Sequence, residues 1–359
     1  MSFKNRKLND IYDYRHPLYI GKWRKSVVYL TNDFANDNLD EPHLKRKTTI
    51  LSQYPEIERL YGYDIITADI AVISTMIQVI ATYVFSHFLV DWNWTMFFFS
   101  FVIGGSITQI YSAVIHETAH CLAASTEMQN RILGLIANIA IPIPIAMSFR
   151  RYHLEHHTFQ GVDGTDPDLP LRWEREVIGG STVLKLLWVM FYPIIHFIRI
   201  IAMLKSPQPW EYINFIFTFL MDVLIYRYCG YRGLLYLFMS VWFGFSIHPV
   251  AARFIQEHYT FDDGQETYSY YGSLNKIFMN IGYHNEHHDF TQIPWTRLPE
   301  VHNIASEYYD NLAYHTSWFM VHWNFITQKQ FGPQCRVIRS LKAHKKGRKL
   351  LAPLKRILS

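Results

Sequence analysis

Two stretches of this chain, Ile70 to Val90 and Thr95 to Ile115, each run for 21 residues without one Asp, Glu, Lys or Arg. A helix of about 20 apolar residues crosses the hydrocarbon core of a bilayer, so both are predicted to span a membrane. The short link between them, Asp91-Trp92-Asn93-Trp94, carries two Trp suited to an interfacial belt, and the pair reads as a tight transmembrane hairpin. Four further apolar stretches follow. Leu133 to Phe149 has only 17 residues and contains Pro142 and Pro144, and a single crossing there would put the histidine-bearing segments on its two sides across the membrane from each other. It is predicted to lie in the interface. Val183 to Leu204 carries Lys185, His196, Arg199 and a central Pro193, and is read as interfacial or re-entrant. Tyr212 to Tyr228 and Gly233 to Ala252 are cleaner spans joined by a turn from Cys229 to Gly233, which makes four crossings in all.

Composition supports a membrane protein: half of the 359 residues are hydrophobic and 16% are aromatic, above the share of an ordinary soluble domain. The first apolar stretch begins only near residue 68, so no cleavable signal peptide is expected. The head, residues 1–66, holds eleven Lys and Arg against nine acids, and the tail from Gln334 to Ser359 holds nine with no acid, so both termini are predicted to be cytosolic. A solvated charge run is the plainer reading of that tail, and attraction to anionic head groups the alternative. The resulting division is a cytosolic segment 1–66, a membrane domain 67–330 and a basic tail 331–359. Three Cys without ligand spacing argue against a disulfide framework. No nucleic-acid partner is expected.

Eight of the eighteen His fall into HETAH (His116, His120), HLEHH (His153, His156, His157) and HNEHH (His284, His287, His288). Residues three and four apart share a helical face, so each box can aim its imidazoles at one point. Neutral imidazole suits Zn, Cu, Fe or Ni, whereas Mg or Ca would ask for carboxylates. One structural zinc takes four ligands, so eight or nine nitrogens imply two metals. A metal or proton transporter would place ionisable groups at mid-membrane depth, but the predicted spans hold only His87, Asp222, Arg227 and His248.

The boxes HETAH, HLEHHTFQG and HNEHHDF resemble those of membrane fatty-acyl desaturases and hydroxylases. The flanking segments ILSQYPEIERL, HPVAARFIQEHYTF, ETYSYYGSLNKIFMNIGYHNEHHDF and SEYYDNLAYHTSW resemble the sphingolipid Δ4-desaturases, the dihydroceramide desaturases, from about residue 50 to residue 318. The resemblance implies an all-α integral membrane protein of about four transmembrane helices plus interfacial helices, with a cytosolic histidine-box cap holding a non-haem di-iron centre. It further implies an endoplasmic reticulum enzyme that puts the 4,5-trans double bond into dihydroceramide. O2 is the co-substrate, and cytochrome b5 with its NADH-dependent reductase supplies electrons. The eight box histidines are then ligands, and His258 is the candidate for a ninth. A C4-hydroxylase, or a bifunctional enzyme, is the alternative the boxes leave open.

Two features depart from the family pattern. Ser2 stands where some members carry a myristoylated glycine, and the tail after about residue 330 finds no match. No His-Pro-Gly-Gly signature of a fused cytochrome b5 domain is present, so electrons are expected from a separate partner. Glu117, Glu155, Glu286, Asn285 and Asp289 beside the ligands, with Asp163, Asp166 and Asp168, are candidates to fix the imidazoles through hydrogen bonds. His248, just before Pro249, is read as a residue that supports a ligand from behind or marks a kink. The run Tyr268 to Tyr271 fits either a head-group entrance or an interfacial belt.

Overall fold

In a bilayer the outside of a helix meets hydrocarbon, so large apolar side chains face out while small and polar ones pack between helices. The helix Ile66–Phe88 shows this inversion: Thr67, Ala71, Ser74, Thr75, Gln78, Thr82 and Ser86 are buried, whereas Ile73 is 56% and Ile80 59% exposed. The computed structural model describes residues 41–88, 94–262 and 265–348. Among these the chain is mostly helical, with two isolated bridges and no strand. Ser2 and the rest of the head before Glu41, most of the expected turn at Asp91 to Trp94, and the tail beyond Arg348 lie outside them.

The chain forms two compact units. The first comprises Gly62–Leu154 and Val189–Ala252. Three helices of the described chain are long and apolar enough to cross a membrane, and all belong to this unit: Ile66–Phe88, Trp94–Ala119 and Pro209–Gly244. The last is two helical runs that meet at Gly230, whose φ of 63° and ψ of −169° suit a residue without a Cβ. The turn expected between Cys229 and Gly233 is therefore a single-residue kink. The second run stops at Gly244 instead of continuing to Ala252, and Pro249–Ala252 is a 3-10 turn that begins on a residue with no N–H to donate.

Helix packing in this unit depends on small residues. A side chain at Gly104 would overlap that of Ser240, and one at Gly244 would press on Thr108. Pro142 and Pro144 fall between two short helices, Glu127–Asn138 and Ala146–Phe159, in the stretch expected to lie in the interface. Asn138 ties that connection down: its amide donates to the carbonyls of Ile141 and Ile143, and its Oδ1 accepts from the N–H groups of Ile145 and Ala146. Asn214 adds an N–H of its own to Asn138 Oδ1 and accepts from Met147 N–H, so the buried amides are paired, as a hydrocarbon setting demands.

The second unit comprises the described residues of Met1–Tyr61, Glu155–Trp188 and Arg253–Ser359. Its core is built around Ile50, Ile57, Phe290, Ile293, Val301 and Tyr309. The helix His43–Gln53 packs on the short helix His284–Asp289. Val183 to Leu204 breaks at Phe191 into Thr182–Met190, most of which belongs to this unit, and Tyr192–Ala202, which belongs to the first and has Pro193 in its first turn. Lys185 is buried within this unit, where its ammonium donates to the Gln328 and Phe331 carbonyls at 2.7 and 2.9 Å. These lie just past the C-terminus of the helix Trp318–Thr327, where a cation is favoured. The tyrosine run is interior: Tyr270 stacks on Trp318 at 3.8 Å and Tyr268 takes N–H groups from Phe261 and Asp262 on its hydroxyl. Tyr271 is half-buried and its hydroxyl donates to Glu286 at 2.6 Å.

Candidate metal centre

The first box ends a helix. Trp94–Ala119 closes at His120, and Cys121 turns the chain with φ of 60°, which leaves the last carbonyls without helical partners. Arg150 supplies them: its guanidinium donates to the carbonyls of Thr118 and Ala119. Arg150 sits one turn before His153 on Ala146–Phe159, so the same helix that caps the first box presents the second. The rings of His116, His120 and His153 lie 4.6 to 5.0 Å apart between centroids, and each offers a nitrogen within 4.8 Å of the others. Phe149 stacks on His153 at 4.8 Å, and Glu117 meets His116 Nδ1 at 3.2 Å.

In the other unit a second group forms. His156, His258 and His288 are buried and offer nitrogens within 4.8 Å of one another. His258 Nε2 lies 2.9 Å from both His156 Nε2 and His284 Nε2. His157 Nε2 is 3.2 Å from His287 Nε2. Of the nine candidates, three lie in the first unit and six in the second. His248 stands apart: its Nε2 meets Ser106 Oγ at 3.2 Å and its Nδ1 accepts the Val250 N–H at 3.3 Å.

The donor set suits a metal of imidazole preference. His288 Nε2 and His258 Nδ1 are buried with no hydrogen-bond partner among the described residues, a costly state that a bound cation or water relieves. Burial, reinforced by neighbouring imidazoles and other cations, holds His258, His284 and His288 well below the usual histidine range, so these rings are neutral and keep a lone pair for ligation. His156 differs. Burial disfavours its charged form, but Asp166 and Asp168 overcome this and raise its pKa. Asp166 Oδ1 lies 2.9 Å from His156 Nδ1. With the proton on Nδ1, Nε2 is left as the donor, the carboxylate–histidine arrangement that fixes tautomer and ring orientation in metal sites.

The expected supporting carboxylates divide. Glu117, Asp166 and Asp168 approach box histidines. Glu286, Asn285 and Asp289 serve the surroundings: Glu286 accepts from Ser269 and Tyr271 and pairs with His302, while Asp289 binds Arg46, His43 and Tyr309. Arg46 also donates to Asn285 Oδ1. Sequence reasoning missed His43 and Arg46, which sit in a Lys- and Arg-rich stretch that reads as a solvated face, and Glu257, 3.9 Å from His284 Nδ1. The available signal is an i,i+3 pair of His and Arg opening the helix after Pro42.

Two family models match the chain: Fatty acid desaturase over residues 92–319, and Sphingolipid Delta4-desaturase over residues 31–66, the segment that contains His43 and Arg46. A sphingolipid delta(4)-desaturase DES1 of Drosophila melanogaster is 41% identical over 86% of this chain and 95% of its own length. A DES1-like relative of Oryza sativa subsp. japonica is 39% identical over 91% of this chain and 98% of its own, and the DES1 of Homo sapiens 38% over 89% and 97%. The chain thus belongs to the fatty acid desaturase family of membrane oxidoreductases and, within it, to the sphingolipid Δ4-desaturases.

Proposed function

We propose that this protein introduces the 4,5-trans double bond into the sphingoid backbone of dihydroceramide, giving ceramide. The observation that carries the reading is a buried to half-buried nitrogen-only donor set in a chain about two-fifths identical, over most of its length, to proteins named for Δ4 desaturation. His116, His120, His153, His156, His157, His258, His284, His287 and His288 would hold two iron ions. Bound there, the irons supply the oxidising power that an unactivated alkyl chain requires and that no side-chain acid or base provides. The protein's own contribution is ligation, aim and exclusion of water. Asp166 keeps the proton on His156 Nδ1, Glu117 stands in the same relation to His116, and burial keeps His258, His284 and His288 in the ligating neutral form.

The overall change removes one hydrogen from each of C4 and C5 and reduces O2 to two waters, with two electrons and two protons from outside the substrate. Cytochrome b5 and its NADH-dependent reductase are the proposed donors. The setting is the endoplasmic reticulum membrane, with four crossings, both termini in the cytosol and the substrate head group at the cytosolic interface. A ceramide-type lipid seated this way brings C4 and C5 to a shallow depth.

Sphingoid-base mass spectrometry of cells lacking their own Δ4-desaturase tests the activity. Expression of this chain is expected to convert dihydroceramide to the 4,5-unsaturated product, and a C4-hydroxylated base as the main product would reject the reading. A reporter inserted between residues 160 and 180 is expected on the cytosolic side, and a lumenal signal would break the topology.

A further inference from the structure

The basic tail is the one sequence feature that the family resemblance leaves unused, and its first part is folded into the histidine-bearing unit. Arg336 and Arg339, two of its nine cations, are buried there at 4% exposure each. Arg339 Nη2 donates to both carboxylate oxygens of Glu266 at 2.8 and 2.9 Å, and its Nη1 donates to the Gln160 carbonyl at 2.6 Å. Its backbone pairs with the loop after the second box: Arg339 N–H to the Gly161 carbonyl at 2.7 Å, and Asp163 N–H to the Arg339 carbonyl at 3.0 Å. Gly161 is in the left-handed region at φ +72°, and a side chain there would collide with Arg339, so the close approach needs this glycine.

That loop carries Asp166, the carboxylate that holds His156. Asp166 Oδ2 takes the Gly161 N–H at 2.7 Å and faces Arg336 Nη2 at 3.8 Å, while Arg336 Nη1 donates to the Asp168 carbonyl at 3.3 Å. One residue earlier, the Cys335 carbonyl accepts the N–H of Thr260, two positions after His258. The segment Gln334–Arg339 thus contacts Asp166, the carboxylate on His156, and the backbone two positions after His258.

We infer that this segment is a positioning clasp for the second histidine box, with Arg336 as the positioning residue that holds Asp166 against His156 Nδ1. The inference rests on the di-iron reading above. Outer partners of metal-bound histidines are typically worth about 10- to 100-fold in metal affinity or activity, and Arg336 stands one step further out, so an effect at the lower end is expected.

The test uses the full-length chain in detergent or nanodiscs, with iron per chain, iron release to a ferrous chelator, and kcat and KM measured together. Arg336→Ala is expected to release iron about 10-fold faster and to lose a similar factor in kcat, with KM near that of the parent. Arg336→Lys, which keeps the charge, is expected to recover most of both. Lys342→Ala, an exposed cation of the same tail, is expected to match the parent. Parental iron release and kcat in Arg336→Ala overturn the clasp, as does a loss that Arg336→Lys fails to recover while the protein stays folded. Should Arg336→Ala fail to fold, Arg339→Lys, which retains the charge but lacks the second nitrogen that donates to the Gln160 carbonyl, takes its place: faster iron release at an unchanged melting temperature supports the clasp, and parental release overturns it. A parent chain that binds no iron would instead sink the underlying reading.

Discussion

The two units of this protein bury opposite things. In the spanning unit, Ser74, Thr75, Gln78 and Thr82 are inside and Ile73, Ile77 and Ile80 are outside. In the histidine-bearing unit, Arg46 and Asp289 are inside with His43, each paired, and apolar residues such as Ile50, Ile57 and Phe290 form the core. The difference lies in the solvent. Hydrocarbon gives no reason to hide isoleucine and every reason to pair a backbone or hydroxyl group internally, whereas water rewards apolar burial and tolerates a buried ion only when it is matched.

The largest expected consequence is at the proposed ligands. His157→Ala is expected to abolish turnover while protein remains in the membrane, read by immunoblot and product analysis together, and unchanged activity would remove His157 from the ligand set. Next comes the buried pair. Arg46→Ala leaves Asp289, at zero side-chain exposure, with only His43 and Tyr309 of its three described side-chain partners, and breaking such a buried pair costs about 3–5 kcal/mol. Thermal or denaturant unfolding in detergent measures this, and a loss below about 1 kcal/mol would show that water reaches Asp289. A smaller effect is expected on the spanning unit's outer face. Ile80→Arg should cost about 2.5–3.5 kcal/mol in a membrane-insertion assay, whereas Glu58→Lys, exposed in the other unit, should stay within about 0.5 kcal/mol in an unfolding assay. Equal tolerance at both sites would erase the contrast between the units.

Much of this was legible in sequence because it is local. Uncharged runs of 21 residues mark spans, and His spacing of three and four marks a helical face, both within a few turns of chain. The early end of the last long helix at Gly244 escaped because hydropathy continues through Ala252 while hydrogen bonding does not. The roles of Arg46, Glu257, Arg336 and Arg339 escaped for another reason. Each is set by a partner brought near only by folding, 243 positions away for Arg46 and Asp289, and a lysine- and arginine-rich stretch gives no local sign of which cation will be buried. The burial of Tyr268 and Tyr270 escaped likewise, since Tyr270 packs on Trp318, far along the chain.

The claim on which the rest depends is that this all-imidazole set binds two iron ions. Elemental analysis of purified, catalytically active protein tests it most directly. Two irons per chain, lost together with activity on chelation, is the expected result; zinc alone, or no metal in a molecule that still turns over, would contradict it.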